Sequence, residues 1–458
     1  MPDQIESSNL IKMTRFGKMS SLQTARACHH RIIAYCEVHQ WAHAMSRLGT
    51  HPHEAKEIST NGKTPLHIAC SNHGMSVLIV GLSSLCPHFM ETSDPMGMTP
   101  LHCACASNDP SEEIIEIMLR WSPSKGMREC LMQDLDGDTP LHSACRVGAS
   151  KKVLTQIVMA APSALYVRDN EQLTPLLRLW VRAVVLVGEE VLESVNSWND
   201  LRRSGLEPVW EKTVLFLKVL TFGGVDVPPG ANFSVLHAIV QNDCPRFVLE
   251  VSLRLYPEWM TYRDELGRSL LTAAIEAPVH KVRDLSSDDF AFFDQWDDKG
   301  LANEDDEEDP NVIVKSNGNQ VMIPSVIDTL LTCASRTNSA TAKALLGSVR
   351  GKKGEVIPPL HCALSAGKGW SDGVKTLFDA DPEAATKRDH ETLLFPFMIA
   401  AQSCKTKATH LDTIFQLLRA NPVVVECYLQ CGSSVKTPIE SLRKRKNSTD
   451  MRECTSLR

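Results

Sequence analysis

The chain has 458 residues, of which 43% are hydrophobic, 22% charged and only 6% aromatic. This is the composition of a folded chain, and the scarcity of aromatic residues favours a helical core of aliphatic side chains and cysteine over a β-sandwich. The formal charge of −7 gives no support to a nucleic-acid partner. The longest apolar stretch, 176–188, contains two arginines and is too short to cross a bilayer.

Residues 1–20 are polar and lack apolar periodicity, so we expect a mobile tail. They show no basic and then apolar leader, and we therefore expect the 15 cysteines of the chain to be reduced. Cys36, His39 and His43 follow at i, i+3 and i+7, a spacing that would place a thiolate and two imidazoles on one helix face for zinc. Polar positions of a capping helix are the other interpretation. The whole cluster is Cys28, His29, His30, Cys36, His39 and His43.

The tetrapeptide Thr-Pro-Leu-His occurs three times, at separations of 35 and 40 residues. The copies are Thr64-Pro65-Leu66-His67, Thr99-Pro100-Leu101-His102 and Thr139-Pro140-Leu141-His142. Weaker copies begin at Thr174, Ser234, Ser269, Pro358 and Thr392, and they place His237 and His361 at the histidine position. An Asp-x-x-Gly sequence precedes several copies, and a proline precedes that Asp. Each period therefore predicts a helix, a turn, a helix ending near proline, and an Asp-x-x-Gly turn.

With this motif and period the chain resembles the ankyrin-repeat family over about residues 30–435. Repeat ends such as Asp381-Pro382-Glu383-Ala384 are similar to those of ankyrin-repeat proteins from diatoms and related algae. The resemblance implies an all-α fold, an ankyrin-type α-solenoid of stacked helix-turn-helix units joined by short hairpin-like turns, here with two insertions. It also implies that the motif histidines are structural, because in the family this imidazole bonds backbone groups of the adjoining turn.

The period, the composition and the family resemblance together imply five segments. They are a mobile tail at 1–20, an ankyrin-repeat block with a capping unit at 21–283, an acidic insertion at 284–322, an ankyrin-like block at 323–440 and a basic tail at 441–458. Residues 284–309 contain twelve Asp or Glu and one Lys, which leaves the rest of the chain at about +4. We expect the acidic segment to loop out of the array. Apolar runs at 184–195 and 214–220 predict an elongated helix pair joined by a loop.

The resemblance implies a non-catalytic protein–protein interaction scaffold or adaptor that binds a protein partner on its concave face and turn tips. Residues beside the turn glycines differ between repeats, and we predict that they bind the partner: Lys63, Met96, Met98, Asp136, Asp138, Glu265 and Arg268. No catalytic residue, cofactor or small-molecule substrate is predicted, and the expected location is the cytoplasm. Two alternatives stay open: a nuclear regulatory protein that uses the basic run 443–446, and a metal-binding protein that uses the cluster at 28–43.

Overall fold

The computed structural model describes residues 31–277, except 230 and 243, and residues 325–420, except 338, 348, 350–356 and 404–407, together with residue 422. The described residues are helical and form no β-strand, although an isolated bridge pairs Arg263 with Ser269. The predicted all-α class is confirmed. The predicted tails, the acidic insertion at 284–322, and residues Cys28, His29 and His30 lie outside the described residues.

The described residues form two compact units, of which the first covers residues 31–257. Its α-helices, in chain order, are α1 (Arg31–Glu37), α2 (Trp41–Thr50), α3 (Pro65–Ser71), α4 (Ser76–Leu85), α5 (Pro100–Cys105), α6 (Glu112–Trp121), α7 (Pro140–Val147), α8 (Lys151–Ala160), α9 (Pro175–Val187), α10 (Glu189–Ser194), α11 (Trp198–Arg203), α12 (Glu207–Phe222), α13 (Val235–Gln241) and α14 (Arg246–Leu255). Between a second helix and the next turn, the chain forms a 3₁₀ helix that begins at the repeated proline: Pro52–Lys56, Pro87–Met90 and Pro162–Tyr166.

The tetrapeptide starts the first helix of each clear repeat. Thr99 caps the N-terminus of α5, where its hydroxyl accepts the N–H of His102, and Pro100 occupies the first helical position, whose N–H would be unpaired in any case. Leu101 follows at 1% exposure. Burial of such a side chain contributes about 1.5 to 3 kcal/mol, so the motif both begins the helix and anchors it in the core.

First helices pack against first helices and second helices against second helices. The series α1, α3, α5, α7 and α9 forms one layer, and α2, α4, α6, α8 and α12 form the other. Small buried residues at matching positions of α3, α5 and α7 let the first helices approach closely, and they are Ala69, Cys70, Ala104, Cys105, Ala144 and Cys145. Because one helix pair cannot bury both of its faces, the stacking of neighbours creates the continuous core.

The first insertion is an elongated helix pair with two short helices between. α9 and α12 have 13 and 16 residues, but the predicted single run at 184–195 is divided at Gly188, whose φ is 83°. The loop predicted between the two long helices contains α11. An aromatic cluster fills this region, and Trp180 packs edge-on against Phe247 at 5.3 Å between ring centroids and against Trp210 at 6.5 Å.

The second unit covers the described residues from 258 onwards. Its helices are α15 (Leu270–Glu276), α16 (Val326–Thr337), α17 (Ser339–Leu346), α18 (Pro359–Ser365), α19 (Val374–Ala380), α20 (Pro396–Ser403) and α21 (Ala408–Ala420). The sequence placed α15 in the block ending at 283, whereas in the structure it packs against α18. The ammonium of Lys368 also donates to the carbonyl of Ala277 at 2.6 Å, which ties the end of α15 to this unit.

The weak copy at Thr392 does not begin a helix. α20 begins four residues later, at Pro396. The hydroxyl of Thr392 instead donates to the carboxylate of Asp389 at 2.7 Å, and the Thr392 N–H donates to the same oxygen at 2.8 Å. This weaker copy therefore departs from the motif, because Thr392 belongs to the turn and not to the helix cap.

Candidate partner-binding surface

A five-residue turn that begins with Asp precedes the first helix of a repeat. In the turn 94–98, the carboxylate of Asp94 accepts the N–H of Met96 at 2.9 Å and that of Met98 at 3.0 Å. The Asp94 N–H donates to the Met98 carbonyl at 2.9 Å and so closes the turn. Gly97 has a φ of 77°, which glycine adopts without steric cost. The turn 134–138 repeats this pattern with Asp134 as the acceptor.

The motif histidines join each first helix to the turn of the next repeat. The Nε2–H of His67 donates to the Met98 carbonyl at 3.1 Å, that of His102 to Asp138 at 3.0 Å, and that of His142 to Leu173 at 3.1 Å. The Nδ1 of His102 accepts the Thr99 N–H at 3.1 Å. Burial lowers the pKa of both His102 and His142 to about 4, so these rings are neutral near pH 7, as these hydrogen bonds require.

Neighbouring turn tips also pair with one another directly. The Leu135 N–H donates to the Met96 carbonyl at 3.0 Å, and the Asn170 N–H donates to the Asp136 carbonyl at 3.0 Å. A Cβ at Gly97 would lie 2.8 Å from the Leu135 nitrogen, so glycine permits this close approach. We call the tips at 60–61, 95–96, 135–136 and 170–171 the turn edge of the first unit.

The turn edge presents two large apolar side chains. Met96 is 52% exposed and Leu135 is 64% exposed, and their backbones are hydrogen bonded to each other. Asp136 is exposed beside them. The sequence predictions included Met96 and Asp136 but missed Leu135, because they chose residues flanking the glycine. The available signal was the position of Leu135 directly after the first Asp of its turn. Pro95 holds the same position in the preceding turn and is also exposed.

A family model for ankyrin repeats, in three copies, matches residues 38–128. Residues 38–128 therefore contain ankyrin repeats. Ankyrin repeats generally mediate protein–protein interaction, and the family is typically non-catalytic. No curated protein matches the chain. Among the described residues, no helix combines the length and the apolar character needed to span a bilayer.

Asp138 is not an exposed residue of the ankyrin turn, as the sequence predicted, but a fully buried one. Its carboxylate lies 2.6 Å from an Nη atom of Arg146 and 3.9 Å from the Nε of Arg178. Arg178 is itself buried, and its Nε donates to Asp169 at 2.6 Å. Burial raises the pKa of Asp138 to about 6, against the opposing effect of the two arginines. Asp138 therefore belongs to a charge cluster between repeats.

The position just before the helix-capping residue faces inward in other repeats of this chain too. Leu173 is fully buried there and Met98 is half-buried. Lys63 lies 3.8 Å from the buried carboxylate of Asp94. In the second unit, Arg268 pairs with Asp264 at 2.7 Å and with Glu276 at 3.1 Å. Long side chains at this position thus form ion pairs close to the turn.

In the turn 264–268, the two tip residues are exposed to solvent. Glu265 is exposed, and its neighbour Leu266 is 76% exposed. Leu266 has the same place in its turn as Met96. The second unit therefore also presents an apolar side chain at a turn tip.

The helix face that the alternative zinc interpretation required is not formed. α1 ends at Glu37, and His39 adopts a φ of 58° in the connection to α2, so Cys36 and His43 lie on different helices. Cys36 is buried, which raises the pKa of its thiol to about 12. His43 stacks on Tyr35, with 5.6 Å between the ring centroids. In the described part of the chain, no group of three or more His, Cys, Asp or Glu could hold a metal ion.

Proposed function

We propose that the chain is a non-catalytic scaffold or adaptor that holds a protein partner on the turn edge and the adjoining concave face of its first unit. The observation that carries this proposal is the exposure of Met96 and Leu135 at adjacent tips. Exposed apolar patches mark interaction sites in soluble proteins. Methionine also adapts its shape to a partner because its side chain is unbranched and polarisable.

The rigidity of the turn edge supports the same proposal. The Asp94 carboxylate, the Gly97 conformation and the hydrogen bond from Leu135 to Met96 hold these tips before any partner arrives. Little conformational entropy is then lost on binding, which leaves more of the contact energy as affinity.

The motif histidines and the cysteines of the first helices are occupied in folding. His67, His102 and His142 are buried and hydrogen bonded between repeats. The thiols of Cys70 and Cys105 are buried, which raises their pKa far above that of a reactive cysteine. This use of the histidines and cysteines favours binding over catalysis.

The test replaces the exposed tip residues in the full-length chain: Met96→Ala, Leu135→Ala and Asp136→Ala together. Met98 is left intact, because it is half-buried. We expect affinity capture from native lysate, read by quantitative mass spectrometry, to lose the main partner at least tenfold, equivalent to about 1.4 kcal/mol. The matched control is Met159→Ala, since Met159 is 53% exposed on α8. Undiminished capture by a folded triple variant would move the site away from the turn edge.

A further inference from the structure

The polarity and charge of the residues on the turn edge change from one repeat to the next. The first tip consists of Thr60 and Asn61, which are uncharged and polar. Pro95, Met96 and Leu135 then form an exposed apolar section. The last two tips add carboxylates at Asp136 and Glu171, so the edge runs from polar through apolar to acidic.

The two carboxylates of the acidic section differ in their partners. Glu171 lies 3.1 Å from an Nη atom of Arg178, which compensates its charge. Asp136 is exposed and forms no ion pair among the described residues. Asp134 stands in the same turn, with its carboxylate accepting the N–H groups of Asp136 and Asp138. A second acidic group on a partner would be repelled here, whereas a cation would be attracted.

We propose that the turn edge binds an extended partner segment in which an apolar residue and a Lys or Arg are about three residues apart. The apolar side chain packs on Met96 and Leu135, and the cation pairs with Asp136. This inference rests on the proposed function. The spacing follows from geometry, because Met96 and Asp136 hold the same place in the turns of adjacent repeats. Adjacent repeats are separated by about one helix diameter, roughly 10 Å, and an extended chain advances about 3.3 Å per residue.

The direct experiment selects a phage-displayed library of random 12-residue peptides on the immobilised full-length chain. We expect the enriched peptides to share an apolar residue and a basic residue about three positions apart. Met96→Ala combined with Leu135→Ala should weaken a synthetic enriched peptide at least tenfold in fluorescence polarisation. Met159→Ala should leave that affinity unchanged. Selection on Asp136→Lys should reverse the preference and enrich Asp or Glu in place of the basic residue.

The outcomes separate this inference from the function on which it rests. A selection without enrichment, or enriched peptides whose charge preference ignores Asp136→Lys, would overturn the segment chemistry. If the triple variant still lost its partner from lysate, the scaffold function would stand and only the partner class would be wrong. Undiminished lysate capture by the triple variant would instead refute the proposed site itself.

Discussion

Replacement of His102 by Ala tests whether the motif histidines stabilise the array. The ring is fully buried. Its Nδ1 accepts the Thr99 N–H at 3.1 Å, and its Nε2–H donates to the Asp138 carbonyl at 3.0 Å. His102 is not one of the proposed partner-binding residues, so any effect of its replacement on binding would have to come through folding.

The expected cost follows from the groups that lose their partner. The Thr99 N–H would be buried without an acceptor, which costs about 1 to 3 kcal/mol. The Asp138 carbonyl would keep the N–H of Asp134 at 3.0 Å, so its loss is smaller. The space left by the imidazole adds on the order of 1 kcal/mol. We therefore expect the free energy of unfolding to fall by about 2 to 4 kcal/mol.

His361 provides an internal comparison for this magnitude. It occupies the same motif position and donates to the Lys387 carbonyl at 3.0 Å. However, Pro358 precedes its helix and has no N–H, and the Nδ1 of His361 has no hydrogen-bond partner within the described residues. His361→Ala should therefore cost about 1 to 3 kcal/mol less than His102→Ala, because no buried N–H is orphaned.

The assay is urea unfolding followed by circular dichroism, together with hydrogen exchange of a peptide containing Thr99. His102→Ala should lower the urea midpoint and speed exchange at Thr99, and the exposed His53→Ala is the control. Equal costs for His102→Ala and His361→Ala would refute the argument from the orphaned N–H. Full stability of His102→Ala combined with loss of a measured activity would refute the structural role altogether.

Two further predictions concern the turns and the acidic segment. Gly97→Ala should lower stability by about 2 kcal/mol or more, because it combines a positive φ with a Cβ 2.8 Å from Leu135. Gly267→Ala, with a similar φ but open space around its Cβ, should cost only about 1 kcal/mol in the same urea titration. Deletion of 286–310, which contains six consecutive acids at 304–309, should leave the melting temperature and the helical signal per remaining residue nearly unchanged. A large drop in either would show that this segment is needed for folding.

The elements that local sequence determines were predictable. Thr99 and Pro100 start a helix through groups within three residues of each other, and the 34- or 35-residue period locates the copies of that local signal. The copy at Thr392 does not begin a helix, also for a local reason. There the Asp389 carboxylate accepts both the N–H and the hydroxyl of Thr392. Thr392 therefore belongs to the turn, although the repeat period places it at the start of a helix.

The inward or outward direction of turn residues was not predictable from the motif. Asp136 and Asp138 both flank Gly137, yet one is exposed and the other fully buried. Burial of Asp138 depends on Arg146 and on Arg178, which lies 40 residues further along the chain and comes from the next repeat. Spacing within one repeat contains no information about such a partner.

The helix face considered for zinc does not form because the helix ends before His39. The spacing of Cys36, His39 and His43 indicates a common helix face only while the helix continues. His39 has a φ of 58° and the helix has already ended at Glu37. Local composition around these residues gave no sign of the break.

The buried histidines and Asp138 should shift stability in opposite directions as pH falls. His102 and His142 have a pKa of about 4 when folded, lowered by burial, and about 6.5 when unfolded. The unfolded state therefore binds more protons between pH 6.5 and 4, and stability is lost over that range. Asp138 has a pKa of about 6 when folded and about 3.8 when unfolded. The folded state binds its proton first, so its contribution rises as pH falls through 6.

Asp138→Asn should therefore lose stability more steeply than the unmodified chain between pH 6 and 4. The difference between the two stability curves should change by about 1.4 kcal/mol per pH unit over this interval, the effect of one proton, and should be flat above pH 7. Urea titrations at half-unit steps from pH 4.5 to 7.5 measure it. Because both proteins retain His102 and His142, their contributions cancel in the difference. Parallel curves would mean that Asp138 titrates alike in the folded and unfolded states, and that Arg146 and Arg178 fully offset the desolvation of its carboxylate.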